Sequence, residues 1–388
     1  MAEATYTPLE MIDRLVAFDT TSRNSNLELI DFVDDYLAGH GVASTRTFDD
    51  GGGKANLFAS LGPDEPGGVV LSGHTDVVPV DGQPWDTDPF SVVRANGRLY
   101  GRGTSDMKSF IAIALALVPA FQAHGLAVPL HLALSYDEEV GCLGVDHMIE
   151  GIAAAGIEPQ IVVVGEPTGM HVANAHKGIY SFCTLVTGFE AHSSATHLGV
   201  NAVMTAAELI AFLGDLAVEM KDRAEPDSEF EPPYTTVHVG TIEGGTALNI
   251  IPRECRFQWE YRLIPDADED EIINRFNEFS ESLEQNMKAI SSNTGIETTA
   301  RSRVPGLEPE AASPAERLIM TLTGDNQALK VSYATEAGKF QRSGASTVIC
   351  GPGHITQAHK PNEYIDIAQV EACEAFMHRL MDRLRQSL

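Results

Sequence analysis

Along the N-terminal part of the chain, short apolar runs alternate with longer amphipathic stretches. Val69–Leu71, Leu130–Leu134 and Ile161–Val164 are apolar runs, each ending in a polar or acidic cluster. Runs this short, bounded in this way, read as buried strands. Between the first two, Met107–Ala123 is long and apolar enough to predict one buried helix. Thr7-Pro8-Leu9-Glu10 places a capping hydroxyl, a proline at the first helical position and a returning glutamate in order, so a helix opens there. Ser25 to Glu28 reads as a second box of this kind, with its helix running out at Gly39. Val92–Tyr100 folds back on Asn96-Gly97 as a hairpin. Strands separated by helices predict an α/β domain, a largely parallel sheet with helices on both faces.

The pattern changes near residue 175. Gly178 to Gly188 is one apolar, β-branched strand, Asn201 to Leu216 a helix, Thr235 to Thr241 and Glu254 to Leu263 alternating strands, and residues 268–288 another helix. In the last of these strands Cys255, Phe257, Trp259 and Tyr261 share one face, while Arg256, Gln258, Glu260 and Arg262 share the other. This β-α-β-β-α order is that of a sheet with helices on one side, an inserted α+β domain. Lys221 to Pro233, charged and proline-bearing, is a surface loop within it. After about residue 288 the α/β character returns, with a strand at Ser346–Cys350, a turn at Gly351-Pro352-Gly353 and an amphipathic closing helix at Asp366–Leu388. The expected organisation is therefore 1–174 and 288–388 as the two parts of one domain, with 175–287 inserted.

A length of 388 residues agrees with two domains. The net charge of −29, from 26 basic and 55 acidic residues without a basic run, argues against nucleic acid as a partner. Five scattered cysteines, odd in number and never in a C-x-x-C pair, fit reduced thiols. The start MAEATYTPLEMIDRL lacks the basic, apolar pattern of a signal peptide, and Phe110–Phe121 is too short to cross a bilayer. The expectation is a cytoplasmic protein without a membrane partner.

The candidate chemistry sits at strand ends, where ligands of open α/β sheets collect. His74-Thr75-Asp76 follows VVLSG; it reads either as a ligand with an acidic partner for its ring or as a structural pair. Asp106, in Gly101-Arg102-Gly103-Thr104-Ser105-Asp106-Met107-Lys108, is either a helix cap or a ligand. Asp137-Glu138-Glu139 is either a solvated loop or a cation site in which the two glutamates divide metal binding and proton handling. Glu166 in Gly165-Glu166-Pro167 and the distant His359 complete a sulfur-free imidazole and carboxylate set that suits Zn²⁺, Co²⁺ or Mn²⁺.

Taken in order and at these spacings, the motifs resemble those of the M20 peptidase/deacylase family across essentially the whole chain. The resemblance implies a zinc-peptidase-like catalytic domain with an inserted ferredoxin-like lid or dimerisation domain. It implies two divalent metal ions, zinc foremost and cobalt as the alternative. Asp106 would bridge them, His74 and Glu166 would complete one, and Glu139 and His359 the other. Glu138 would be the general base, Asp76 the orienting partner of His74, and the peptide Asp106-Met107 cis. His192, otherwise an ordinary surface histidine, matches the family's oxyanion donor, which in dimeric members reaches the partner subunit's site. Asn249 and Arg262 match positions that hold the carboxylate of an N-acyl amino acid, a task suited to a guanidinium; read alone, Arg262 is an exposed strand residue. Tyr333–Phe340 and Cys350–Pro361 resemble the branch that deacetylates N2-acetylornithine. The branch that desuccinylates succinyl-diaminopimelate carries a Thr-Ser-Asp-Gly-type sequence at Thr335-Glu336-Ala337. Glu336 then becomes a partner for the substrate's second amine, or else an exposed acid at a strand end. The resemblance thus implies a homodimeric amidohydrolase; a broader N-acyl-amino-acid hydrolase, a succinyl-diaminopimelate desuccinylase and a non-catalytic metal-dependent binding protein are the alternatives.

Overall fold

The computed structural model describes residues 5–386 and divides into two compact units. The first comprises the chain up to Ala175, Leu307–Lys330 and the segment from Thr335 onward; the second comprises His176–Gly306 and Val331–Ala334.

The first unit is built on an eight-stranded mixed sheet in the order Ser44–Phe48, Ala55–Leu61, Leu130–Ser135, Val69–His74, Ile161–Pro167, Ser346–Gly351, Ala173–His176, Leu329–Val331. The predicted parallel character holds for its centre. Val69–His74 runs parallel to Leu130–Ser135 and Ile161–Pro167, and the latter runs parallel to Ser346–Gly351. Outside these, Ser44–Phe48, Ala55–Leu61 and Ala173–His176 pair antiparallel with their neighbours. Each of the four central strands is buried along its whole length, as continuous apolar runs require in a sheet covered on both faces.

Local chemistry explains where the helices begin and break. The Thr7 box forms, with Glu10 N–H donating to the Thr7 hydroxyl and Thr7 N–H to the Glu10 carboxylate. The Ser25 box does not. The helix Leu27–Gly39 is preceded by Asn26, whose side-chain amide is already committed to both backbone groups of Ala55. The expected single helix over Met107–Ala123 is two, Lys108–Ala116 and Val118–His124. Pro119 has no N–H to continue the first and its ring crowds the preceding turn. The hairpin forms as expected, with Val93–Ala95 paired to Arg98–Tyr100 and positive φ at both Asn96 and Gly97.

The second unit has four antiparallel strands in the order Thr236–Gly244, Glu254–Leu263, Gly178–Thr187, Gly295–Val304. In chain order this is βαββαβ with spatial order 2-3-1-4, the ferredoxin-like arrangement. Cys255, Phe257, Trp259 and Tyr261 form its core with residues of the helices Ala202–Asp222 and Glu271–Ile290. The unit runs beyond the boundary expected at 287 because Gly295–Val304 is its edge strand. That sequence, GIETTARSRV, is largely exposed and carries too little apolar alternation to announce a strand.

The closing helix spans Ile367–Arg383; the expected end at Leu388 lies outside the described residues, as do the first four residues of the N-terminal segment. No helix among the described residues is long and apolar enough to cross a membrane.

Candidate metal centre

Parallel pairing brings the candidate residues to one edge of the first sheet. His74 ends its strand opposite Ser135, and Asp137-Glu138-Glu139 follow directly on. Ser72 pairs with Val164, which puts Glu166 level with His74 on the neighbouring strand. Asp106 arrives from the turn before the helix Lys108–Ala116. That helix is capped by Met107 without a side-chain bond, so Asp106 does not act as a helix cap. The peptide Asp106-Met107 is cis.

The two oxygens of Asp106 face different partners. Oδ1 lies 3.1 Å from His74 Nε2, and that nitrogen lies 3.6 Å from Glu166 Oε1. Oδ2 lies 3.3 Å from His359 Nε2, which is 3.0 Å from Glu139 Oε2. Ligand atoms of His74, Asp106 and Glu139, and of His74, Glu138 and Glu166, also fall within 4.8 Å of one another, the spacing of a metal cage. His359 has φ of 63° and a half-exposed side chain, whereas His74 is buried.

Four carboxylates and two imidazoles share this space, and the electrostatics show an excess of negative charge. Loss of solvent, reinforced by Asp106 and the neighbouring glutamates, pushes Glu166 well above the ordinary carboxylate range. Loss of solvent also raises Glu138 and Glu139, with their acidic neighbours adding to it. Asp106 is held low: burial opposes this, but His359 and His74 outweigh it. Hydrogen bonds to Asp106 and Glu139 raise His359 to about 10. A carboxylate-rich, sulfur-free set of this kind is stabilised by divalent cations of the Zn²⁺ or Co²⁺ type, so the residues fit the implied metals.

Asp76 stands beside His74, as expected of its partner, and also holds the turn that follows. The carboxylate is 3.6 Å from His74 Nδ1, and that nitrogen bonds instead to the Asp76 carbonyl at 2.9 Å. The carboxylate accepts the backbone N–H of Glu138 at 3.1 Å and of Glu139 at 3.3 Å, and the Ser22 hydroxyl at 2.7 Å. It thereby fixes the turn carrying the two glutamates. The Cys142 thiol donates to Glu138 Oε1 at 3.3 Å. Lys54 pairs with Asp137, whose φ of 56° makes the turn sharp. Glu336 is 1 % exposed and accepts a long bond from Ser72, so it is not a free acid at a strand end. Burial raises it to about 7.

His192, Asn249 and Arg262 belong to the second unit. The first two come together through the backbone: His192 bridges Ile250, and Ser193 N–H donates to the Asn249 carbonyl at 3.1 Å. His192 Nδ1 lies 2.7 Å from the Ser194 hydroxyl oxygen and 3.2 Å from the Ser194 backbone nitrogen, so its ring is anchored through that atom. Arg262 is half-buried on its strand and pairs with Glu260 at 3.0 Å.

Comparison with known proteins agrees with this architecture. The profile of Peptidase family M20/M25/M40 matches residues 70–383. Acetylornithine deacetylase of Myxococcus xanthus is 36% identical over 374 residues, covering 95% of each chain. That of Proteus mirabilis is 32% identical over 378 residues, covering 97% of this chain and 95% of the relative. An M20-family metallo-carboxypeptidase from Sulfolobus solfataricus has the same fold, with a TM-score of 0.75 over 98% of this chain and 100% of that one at 18% identity. The di-peptidase Dug1p of Saccharomyces cerevisiae gives 0.73 over 98% and 96% at the same identity. Fold, cluster and relatives together define a metal-binding amidohydrolase. The chain belongs to Peptidase family M20/M25/M40.

Proposed function

We propose that the protein hydrolyses N2-acetyl-L-ornithine to L-ornithine and acetate, a step that yields a free amino acid for arginine biosynthesis. The observation that carries this reading is the division of Asp106, with His74 and Glu166 beside one oxygen and Glu139 and His359 beside the other. The substrate is supported by relatives named acetylornithine deacetylase that align over nearly the full chain.

His74, Asp106 and Glu166 would hold one divalent ion, and Asp106, Glu139 and His359 a second. Bound there, the ions would polarise the amide carbonyl and acidify a water at neutral pH. Glu138 also lies within reach of His74 and Glu166, and its affinity for a proton, raised first by burial, suits a general base beside the ions. It takes the proton of the attacking water and passes it to the departing amine, while Asp76 keeps the turn in place. His192 is the donor to the tetrahedral oxyanion. Asn249 and Arg262 hold the substrate carboxylate, Arg262 exchanging Glu260 for it. Glu336 takes the second amine. The second unit pairs two subunits, so that His192 serves the partner's site. Five free thiols, four of them buried, support a reducing, cytoplasmic setting.

The test is acetate release from acetylornithine, acetylmethionine and succinyl-diaminopimelate, before and after chelation and with Zn²⁺ or Co²⁺ restored. The expected result is metal-dependent turnover with acetylornithine well ahead, and a Glu336→Gln variant whose KM rises for acetylornithine alone. Equal rates on the three substrates would assign a broader hydrolase, and no turnover in metal-loaded protein would leave a binding protein.

A further inference from the structure

Glu363 lies four residues beyond His359 and is 1 % exposed. Its Oε1 accepts the backbone N–H groups of Gly103 at 3.0 Å, Ser105 at 2.8 Å and Asp106 at 3.2 Å. Its Oε2 accepts from Arg102 Nη1 at 2.6 Å, and its carbonyl accepts Gly101 N–H at 2.9 Å. One residue therefore gathers the donors of the turn that delivers Asp106. Arg102 reaches on to Gln83 Oε1 at 2.7 Å, and Gln83 Nε2 donates to the His359 carbonyl at 3.0 Å. The chain of bonds closes on itself, from Glu363 through Arg102 and Gln83 to His359 and back along the backbone.

The five candidate ligands are not supported alike. His74 and Glu166 stand on adjacent central strands whose register is fixed by the sheet. His359 stands on a loop, with a left-handed backbone and a half-exposed side chain. The sheet does not set its distance from Asp106; two bonds between Ser105 Oγ and the His354 backbone join the two segments, and the ring through Glu363 reaches both residues themselves. We propose that Glu363 is a positioning residue that sets Asp106 and His359 relative to each other and so controls occupancy of the Asp106–Glu139–His359 ion position. The His74–Asp106–Glu166 position depends on it far less. This rests on the reading of the cluster as a two-ion centre.

The test is calorimetric titration of Zn²⁺ into metal-free full-length protein, wild type and Glu363→Gln. The glutamine keeps the size of the side chain but sets an amide NH₂ against Arg102. The wild type is expected to take up two equivalents. In the variant the first equivalent stays within about twofold, while the second weakens by about 10–100-fold, the range seen when a partner of a metal ligand is lost. A general loss of structure would weaken both, and equal weakening of the two, or no weakening, overturns the proposal. A wild type that binds a single equivalent instead overturns the two-ion reading beneath it. Should Glu363→Gln fail to fold, Gln83→Ala removes the bonds from Arg102 and Trp85 to Gln83 and from Gln83 to the His359 carbonyl, and leaves Glu363 with the turn before Asp106; its loss is expected in the second equivalent alone, and an unchanged titration counts against the proposal.

Discussion

His176 is fully buried, with Nδ1 2.9 Å from the Lys177 carbonyl. Burial lowers its pKa to about 4, against an ordinary value near 6.5, while the bond to Lys177 works the other way. Between these two values the unfolded chain binds a proton that the folded chain refuses. The stability it contributes is therefore present above pH 6.5 and lost as the pH falls toward 4, by about 3 kcal/mol for this one group. Urea denaturation of wild type and His176→Gln at pH 7 and pH 4 would show that difference, and parallel losses in the two proteins would exclude it. At this scale the sequence was legible where a residue stood at the end of an apolar run. The candidates His74, Asp106, Glu139, Glu166 and His359 came from such positions or from their motifs, and the fold brings them together. It was silent on second partners. Asp76 beside His74 suggested a partner for the ring, and only the fold shows that its carboxylate also accepts the amides of Glu138 and Glu139. Glu363 in a loop carries no pattern at all, because its donors come from a turn some 260 positions earlier in the chain.

At the scale of elements, the apolar runs located all four central strands, since a strand buried on both faces has little choice of composition. What escaped was decided by single atoms or by exposure: the missing N–H of Pro119, the diverted amide of Asn26, and the polar edge strand Gly295–Val304. One close approach joins strand to site. A Cβ on Gly165 would lie 2.1 Å from Phe110 Cδ1 in the helix that follows Asp106. Gly165→Ala must push that helix away and shift Glu166 and Asp106 apart. Overpacking of this kind costs about 1–3 kcal/mol. The variant is expected to melt earlier and to bind Zn²⁺ more weakly, and a melting curve matching wild type would show that Phe110 can give way.

At the scale of the molecule, Glu138 and the proposed ligands belong to one unit and His192 to the other. Mixing His192→Ala protein with Glu138→Ala protein tests whether the histidine acts between subunits. If the histidine acts across a dimer, re-associated equal mixtures regain up to about a quarter of wild-type activity, because about half of the dimers are mixed and each of these has one intact site of two. No recovery from two inactive parents would exclude donation between subunits.

The discontinuity of the first unit also imposes an order in time. By the point at which Glu166 has left the ribosome, four of the five proposed ligands have been made. Synthesis then turns to the whole second unit before the strand Ser346–Gly351 can pair with Ile161–Pro167 and before His359 and Glu363 exist. Domains tend to fold as they emerge, and pairings between distant segments come late. The nascent chain must therefore carry a crowd of carboxylates with one imidazole missing, and the proposed second ion position is finished only once His359 has been made.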